Sequence, residues 1–377
     1  MKLSRNRFRV TLFRKLMGLA SALQTMPAKI TPPPFRLMQI GSLFWQSRAL
    51  YVATRLGVAD VIANSQKSTR EIASELELHE EHLYRLLRML TSMGIFEESS
   101  PRVFRNSKTS DYLRRDNPQN VRAMILMHNS PEMTRPWMEP LEESMRDGEV
   151  PFEKAHNVDL FGYMDRNREF DILFSQAMDS VESLTGNAYL EDFDWDAFDR
   201  IIDVGGSRGS KSVAILKSAP NLKALVFDRL QVIEAARAHW RDKESKQVIE
   251  RIVFQPGDMF ESLPTATSDK DLYLFFAIFH GLSDEESGVV LGNLKSAIGT
   301  RDATVLIADC VAEEIGINPT VAGFDMQMLI GTRGRERTLS EWKRLLQHSG
   351  FRLDEVVDVR TFAKFIVARL VRTGGKP

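Results

Sequence analysis

From Arg200 onward the chain alternates short apolar runs with amphipathic stretches. The runs are Ile201–Val204, Ala224–Phe227, Ile252–Phe254, Leu272–Phe279 and Thr304–Ala308. Unbroken apolar segments of this kind read as strands buried on both faces. Between them, Ser212–Lys217, Val232–His239 and Glu285–Ile298 carry the wider spacing of helices. Strands alternating with helices imply right-handed crossovers and an open, mostly parallel sheet. Leu353–Val359 and Phe365–Leu370 bring the strand candidates to seven. In a sheet of this type a ligand binds beyond the carboxyl ends of the strands.

The first half has a helical pattern. Leu37, Ile40, Phe44, Leu50, Val52, Leu56 and Val58 form an apolar face broad enough for a buried or subunit-facing helix. Ser68-Thr69-Arg70-Glu71 offers an N-cap with an acid in the first turn. Helices over Arg70–Leu76 and Glu80–Met93, with Gly94 at the stop, suggest a helix-turn-helix. Ile95–Glu98 and Val103–Arg105 would form a hairpin wing. A winged helix first suggests DNA. However, the second helix mixes Glu80, Glu81 and His82 with Arg85 and Arg88, which favours a structural or dimerisation role.

Residues 116–190 read as further helices, rich in Met124, Met127, Met133, Met138, Met164, Phe174 and Met178. These side chains fill a core or form a deformable pocket wall, and both uses stay open. The first 35 residues hold seven Lys/Arg and no acid, with Arg14-Lys15 interrupting any signal-like apolar run. A basic arm packing on a partner subunit, an organelle-targeting segment and a contact with anionic membrane all fit. Thr31-Pro32-Pro33-Pro34 then breaks the helix. The expected organisation is a basic arm at 1–35, a winged helix at 36–115, pocket helices at 116–190 and the α/β domain at 191–371.

Composition narrows the function. The chain has 377 residues, 43% hydrophobic and 27% charged, with 50 basic against 51 acidic residues. A net charge of −1 gives no footprint for nucleic acid. Cys310 is the only cysteine, so neither an intramolecular disulfide nor a thiolate metal site can form. The longest apolar run, Leu272–Phe279, is too short to span a bilayer. No stable membrane insertion is expected, and the cytoplasm is the expected compartment. His79, His82, His128, His156, His239 and His348 are scattered without ligand spacing, so no metal is expected.

The chemistry gathers at the strand ends. The first strand runs into Asp203-Val204-Gly205-Gly206-Ser207-Arg208-Gly209, where glycines permit a sharp turn and a close ligand. Asp228 ends the second strand, where an acid can accept both hydroxyls of a ribose. Gly257-Asp258-Met259-Phe260 follows the third, His280 the fourth and Asp309 the fifth. A dehydrogenase would account for Asp228 but not for the rest.

With His280 followed by Ser283-Asp284-Glu285-Glu286, and with Gly334-Arg335-Glu336-Arg337-Thr338, the chain resembles the class I S-adenosylmethionine-dependent small-molecule methyltransferases of the caffeic-acid and hydroxyindole O-methyltransferase type. The likeness spans roughly residues 36–370. It implies an α/β fold, a Rossmann-like domain with a seven-stranded, mostly parallel sheet, preceded by a mainly helical winged-helix dimerisation domain. It further implies a homodimer, S-adenosylmethionine as cofactor and a small-molecule methyl acceptor. Asp203 and the turn at Gly205, Gly206 and Gly209 would hold the methionine part, Asp228 the ribose, and Asp258 and Met259 the adenine. His280 would be the general base on an acceptor hydroxyl, flanked by Asp309 and Glu336. Met127, His128, Phe174, Met178 and Asp325 are candidates for the acceptor.

The chain departs from the family in four places. His280-Gly281-Leu282 replaces His-Asp-Trp, Phe276 stands at a usually cationic position, Ser207 replaces the third glycine, and Asp309 replaces a longer Glu. The shorter acid should orient His280 less firmly. This leaves room for two alternatives. One is methylation of a thioether acid on the route to dimethylsulfoniopropionate, which needs no base and would use the Arg333, Arg335 and Arg337 run. The other is a regulator or non-catalytic protein that keeps the cofactor fold.

Overall fold

The computed structural model describes residues 3–241 and 244–372, apart from the side chains of 21, 24, 25, 27–29 and 181–185. Met1 and Lys2 of the basic arm lie outside the described residues. The chain forms two compact units, Gly18–Thr185 and Met1–Met17 with Gly186–Pro377.

In the first unit, Ser68 caps the helix Thr69–Glu75 in a capping box with Glu71. The helix Glu80–Ser92 buries Leu83, Leu87 and Leu90, a spacing that places all three on one stripe. Three short strands, β1 (Gln66–Ser68), β2 (Phe96–Ser100) and β3 (Val103–Asn106), pair antiparallel in the order β1-β3-β2. Phe96 and Phe104 close the core over Ile62 and Ile72. The acids of the second helix are engaged with the wing: Arg102 bonds Glu81 at 2.7 Å. A second core holds Met127, Met133, Phe152, Leu160, Met164 and Phe170.

The second unit is built on seven strands. They are β4 (Arg200–Val204), β5 (Lys223–Asp228), β6 (Ile252–Pro256), β7 (Asp271–Phe276), β8 (Thr304–Asp309), β9 (Phe351–Asp358) and β10 (Lys364–Leu370). Their order is β6-β5-β4-β7-β8-β10-β9, and only β10 runs antiparallel to its neighbours. Both faces are covered. Ile201, Val226, Leu274 and Leu306 look into one core, while Ile202, Phe227, Phe275 and Ile307 look into the other. This two-sided burial is why the strands read as unbroken apolar runs.

One feature differs from the sequence reading, and a second adds to it. The fourth strand ends at Phe276 rather than Phe279, because Ala277 adopts φ +55° and Phe279–Gly281 forms a 3-10 turn. His280 therefore sits on a turn held beyond the strand. The start of the basic arm, for which a partner subunit, targeting and a membrane contact all fitted the sequence, is engaged within its own chain. Leu3 is 2% exposed in the sheet's core, and Arg5 bonds Asp194 at 2.5 Å. The acidic run 191–196 is the complement that the arm's composition did not reveal.

Candidate active site

The turn after β4 is shaped by backbone constraints. Gly205 and Gly209 take φ +69° and +77°, and Ser207 takes φ +51°. Any Cβ at Gly205 would collide with Ile278 Cδ1, and one at Gly206 would lie 2.7 Å from the Asp203 carboxylate. Asp203 is buried and accepts a 2.7 Å hydrogen bond from Ser212 Oγ, so it braces the turn from below. The Gly205 N–H donates to Phe227 O at 2.8 Å, tying the turn to β5.

Asp228 ends β5 with both oxygens oriented by main chain. Ser207 N–H donates to Oδ2 at 2.8 Å and Arg229 N–H to Oδ1 at 2.7 Å. Burial raises its pKa and these two bonds oppose the rise. A carboxylate has about four acceptor sites, so two donors leave capacity for a pair of hydroxyls. After β6, Asp258 accepts from Phe260 N–H at 2.8 Å. Asn293 Nδ2 holds the same loop by donating to Met259 O (3.0 Å) and Phe260 O (2.9 Å). Nothing in the sequence singled out Asn293, whose partners lie over thirty residues away. A glycine cradle that excludes side chains, beside an oriented acceptor-only carboxylate, has the donor set for a nucleoside carrying an extended tail.

Ile278, which covers Gly205, is two residues from His280, so the histidine turn abuts the glycine turn. His280 Nδ1 lies 2.9 Å from Glu336 Oε1, and Glu336 is 5% exposed. With Nδ1–H donating to the carboxylate, the neutral ring keeps its Nε2 lone pair for a proton. Burial lowers the His280 pKa. The Glu336 hydrogen bond and the charges of Asp309 and Glu336 outweigh it, so the net shift is upward. Asp309 does not touch the ring as an orienting partner. It is fully buried, and neither of its carboxylate oxygens finds a hydrogen-bond partner. Burial pushes its carboxyl up to about 7, against the pull of His280. Of the two flanking acids, Glu336 holds the ring by a hydrogen bond, while Asp309 makes none to it.

The turn is held by residues the sequence presented only as a charged run. Arg337, 1% exposed, donates to Phe279 O and Leu282 O at 2.7 Å each and pairs with Asp284 at 2.8 Å. Arg335 reaches the same Asp284 at 2.7 Å. Gly334 packs directly on the main chain of 280–282. Asp325 Oδ1 accepts the Glu336 N–H at 2.8 Å, so it supports the acid rather than standing alone.

His280, Asp309, Glu336 and Asp325 thus form one cluster, beside the turn that carries Asp203, Gly205, Gly206, Gly209 and Asp228. Met127, His128, Phe174 and Met178 belong to the other unit. There Met127 is 2% exposed and serves as core, Phe174 packs against that core, and His128 and Met178 are exposed. Among the described residues no group of three or more His, Cys, Asp or Glu could hold a metal ion. No helix among them is long and apolar enough to cross a membrane.

Residues 137–352 match the O-methyltransferase domain and residues 38–116 the O-methyltransferase dimerisation domain. The chain is 30% identical over 334 residues to the phenazine O-methyltransferase of Lysobacter antibioticus, covering 88% of this chain and 95% of that protein. It is also 30% identical to the phenazine-1-carboxylate N-methyltransferase of Pseudomonas aeruginosa, over 88% of this chain and 96% of that one. Among solved structures, the S-adenosylhomocysteine-bound methyltransferase of calicheamicin biosynthesis superposes with a TM-score of 0.76 at 25% identity, over 90% of this chain and 98% of that one.

Proposed function

Because the chain belongs to the S-adenosylmethionine-dependent O-methyltransferase family, we propose that it methylates a hydroxyl on a small aromatic molecule with His280 as general base. The observation that carries this reading is the buried 2.9 Å pair of His280 and Glu336, set against the glycine turn. S-adenosylmethionine supplies an electrophilic methyl group. Asp228 and the glycine turn bind and orient the donor. His280 takes the hydroxyl proton at Nε2, and Glu336, already bonded to Nδ1, stabilises the resulting imidazolium. Asp309 lies behind the ring without fixing it, and contributes negative charge only as the pH rises past its raised pKa of about 7. Everything else that these residues supply is position and exclusion of water. The aromatic acceptor is argued from the two phenazine methyltransferases that the chain resembles at 30% identity.

The dimerisation domain gives the second half of the reading, a homodimer. Leu37, Met38, Ile40, Leu43, Phe44 and Trp45 are all at least half exposed, an apolar row on successive helices that a second copy would cover. The thioether alternative loses support, because Arg335 and Arg337, two of its three arginines, are paired with Asp284.

Incubation with S-adenosylmethionine and phenols, hydroxyindoles, aromatic amines and methylthio acids, followed by S-adenosylhomocysteine release, tests the reaction. Turnover on hydroxylated aromatics is expected. Turnover confined to methylthio acids or amines would sink the acceptor assignment.

The pH profile tests the base. A raised His280 pKa means that the neutral form is lost on acidification at a higher pH than usual. The acid limb of kcat/KM should therefore lie above 6.5, the ordinary histidine value. Because Asp309 and Glu336 titrate against the same ring, that limb belongs to the cluster. Glu336→Gln removes the raising charge and leaves only a weaker, neutral acceptor for Nδ1–H, so the limb should move to lower pH. A limb that stays in place would rule out Glu336 as the group that sets it.

A further inference from the structure

The cofactor turn lies between two strand ends of different character. On its β5 side stands Asp228, the ribose acceptor. On its β7 side the strand ends at the aromatic Phe276. A nucleoside laid across the turn with its ribose at Asp228 therefore directs its amino-acid tail toward the β7 side. Lys211 occupies that side. It is the second residue of the helix Ser210–Ser218, which leaves the turn directly. Its Nζ lies 4.6 Å from the centre of the Phe276 ring and 5.6 Å from that of Tyr189.

Two aromatic faces attract an ammonium and restrict where its flexible four-carbon stem carries it. A cation so positioned beside the turn is what a carboxylate-ended tail would be recognised by, through a charge-assisted hydrogen bond. The geometry points to Lys211 as the residue that binds the α-carboxylate of the donor's methionine part, with Phe276 and Tyr189 as the platform that aims it. This assignment rests on the cofactor site described above.

Calorimetric binding of two ligands separates the possibilities. S-adenosylhomocysteine carries the amino-acid tail, whereas 5′-methylthioadenosine lacks it but keeps the adenosine. Lys211→Met preserves the stem and removes the charge. It should weaken S-adenosylhomocysteine by roughly 10- to 100-fold, the equivalent of one charge-assisted bond. Its affinity for methylthioadenosine should stay within about twofold of wild type. Lys211→Arg, which keeps a cation over the rings, should recover most of the loss. Asp228→Asn, by contrast, should weaken both ligands together. Equal weakening of both ligands by Lys211→Met would make Lys211 a support for the helix and overturn the assignment. Unchanged binding of both would overturn it as well. Failure of the wild-type protein to bind either ligand would instead remove the cofactor site on which the assignment stands.

Discussion

His280→Ala is expected to lower kcat/KM for a hydroxylated acceptor by about 10²–10⁴-fold, the range of a positioned general base. Affinity for S-adenosylhomocysteine should change by no more than about twofold, because the ring makes no contact on which the glycine turn depends. That combination, a large kinetic loss with intact donor binding, separates proton transfer from architecture. His280 is well placed for it, since Glu336 Oε1 holds Nδ1 at 2.9 Å and the upward pKa shift makes the ring a stronger base than a free imidazole. His280→Gln keeps a hydrogen-bonding group of similar reach and no titration at neutral pH, so it should be nearly as impaired. Turnover of the alanine variant at a rate close to wild type would show that the acceptor reaches the donor without a base, and the O-methylation mechanism would fall.

The second large effect is expected from one methyl group placed against the main chain of the histidine turn. In Gly334→Ala the new Cβ would overlap the His280 carbonyl oxygen and lie 2.5 Å from Gly281 C and 2.6 Å from Leu282 N. These are main-chain atoms, and they cannot rotate aside. Arg337 also pins the same turn by its bonds to Phe279 O and Leu282 O. Either the Gly334 segment or the histidine turn must shift by about an ångström. Overpacking of this kind costs about 1–3 kcal/mol or more, and misplacement of the base by that distance can cost about 10² in rate. Thermal unfolding and kcat should therefore fall together. Gly281→Ala is the matched comparison, since a Cβ there meets nothing within 4 Å and should be accommodated. If Gly334→Ala is as stable and active as Gly281→Ala, the close approach does not hold the site together.

Some of this site was open to reading from the chain alone because it depends on neighbours in sequence. Glycines at 205, 206 and 209 are dictated by turn backbone, and acids at 203, 228 and 258 sit where strands end. The capping boxes at Ser68 and Ser283 are likewise contained within four consecutive residues. The alternation of apolar runs and amphipathic stretches sufficed for a doubly covered sheet, because burial on both faces leaves no room for polar positions within a strand.

Other features were not legible, and each turns on contacts made across long separations. Leu272–Phe279 reads as one apolar run, yet it stops being strand at Phe276. Apolar character favours a strand and a buried turn alike, and the Gly334 segment, more than fifty residues on, packs against that turn. Arg333, Arg335 and Arg337 look equivalent as a charged run. Only folding buries Arg337 against the carbonyls of 279 and 282 while leaving Arg335 on the surface. Asp309 and Glu336 look like two flanking acids, but only Glu336 lies within hydrogen-bond distance of the imidazole.

The sequence by itself therefore determined the sheet, the glycine turn after its first strand and the family to which the chain belongs. Periodicity, glycine conformation and residue chemistry are local properties that survive in the unfolded chain. The tertiary structure alone decided which acid orients His280, which arginine clamps its turn, and which helix brings a cation to Phe276. Hydrogen bonds and ring contacts depend on ångström-scale placement of groups brought together only when distant segments pack.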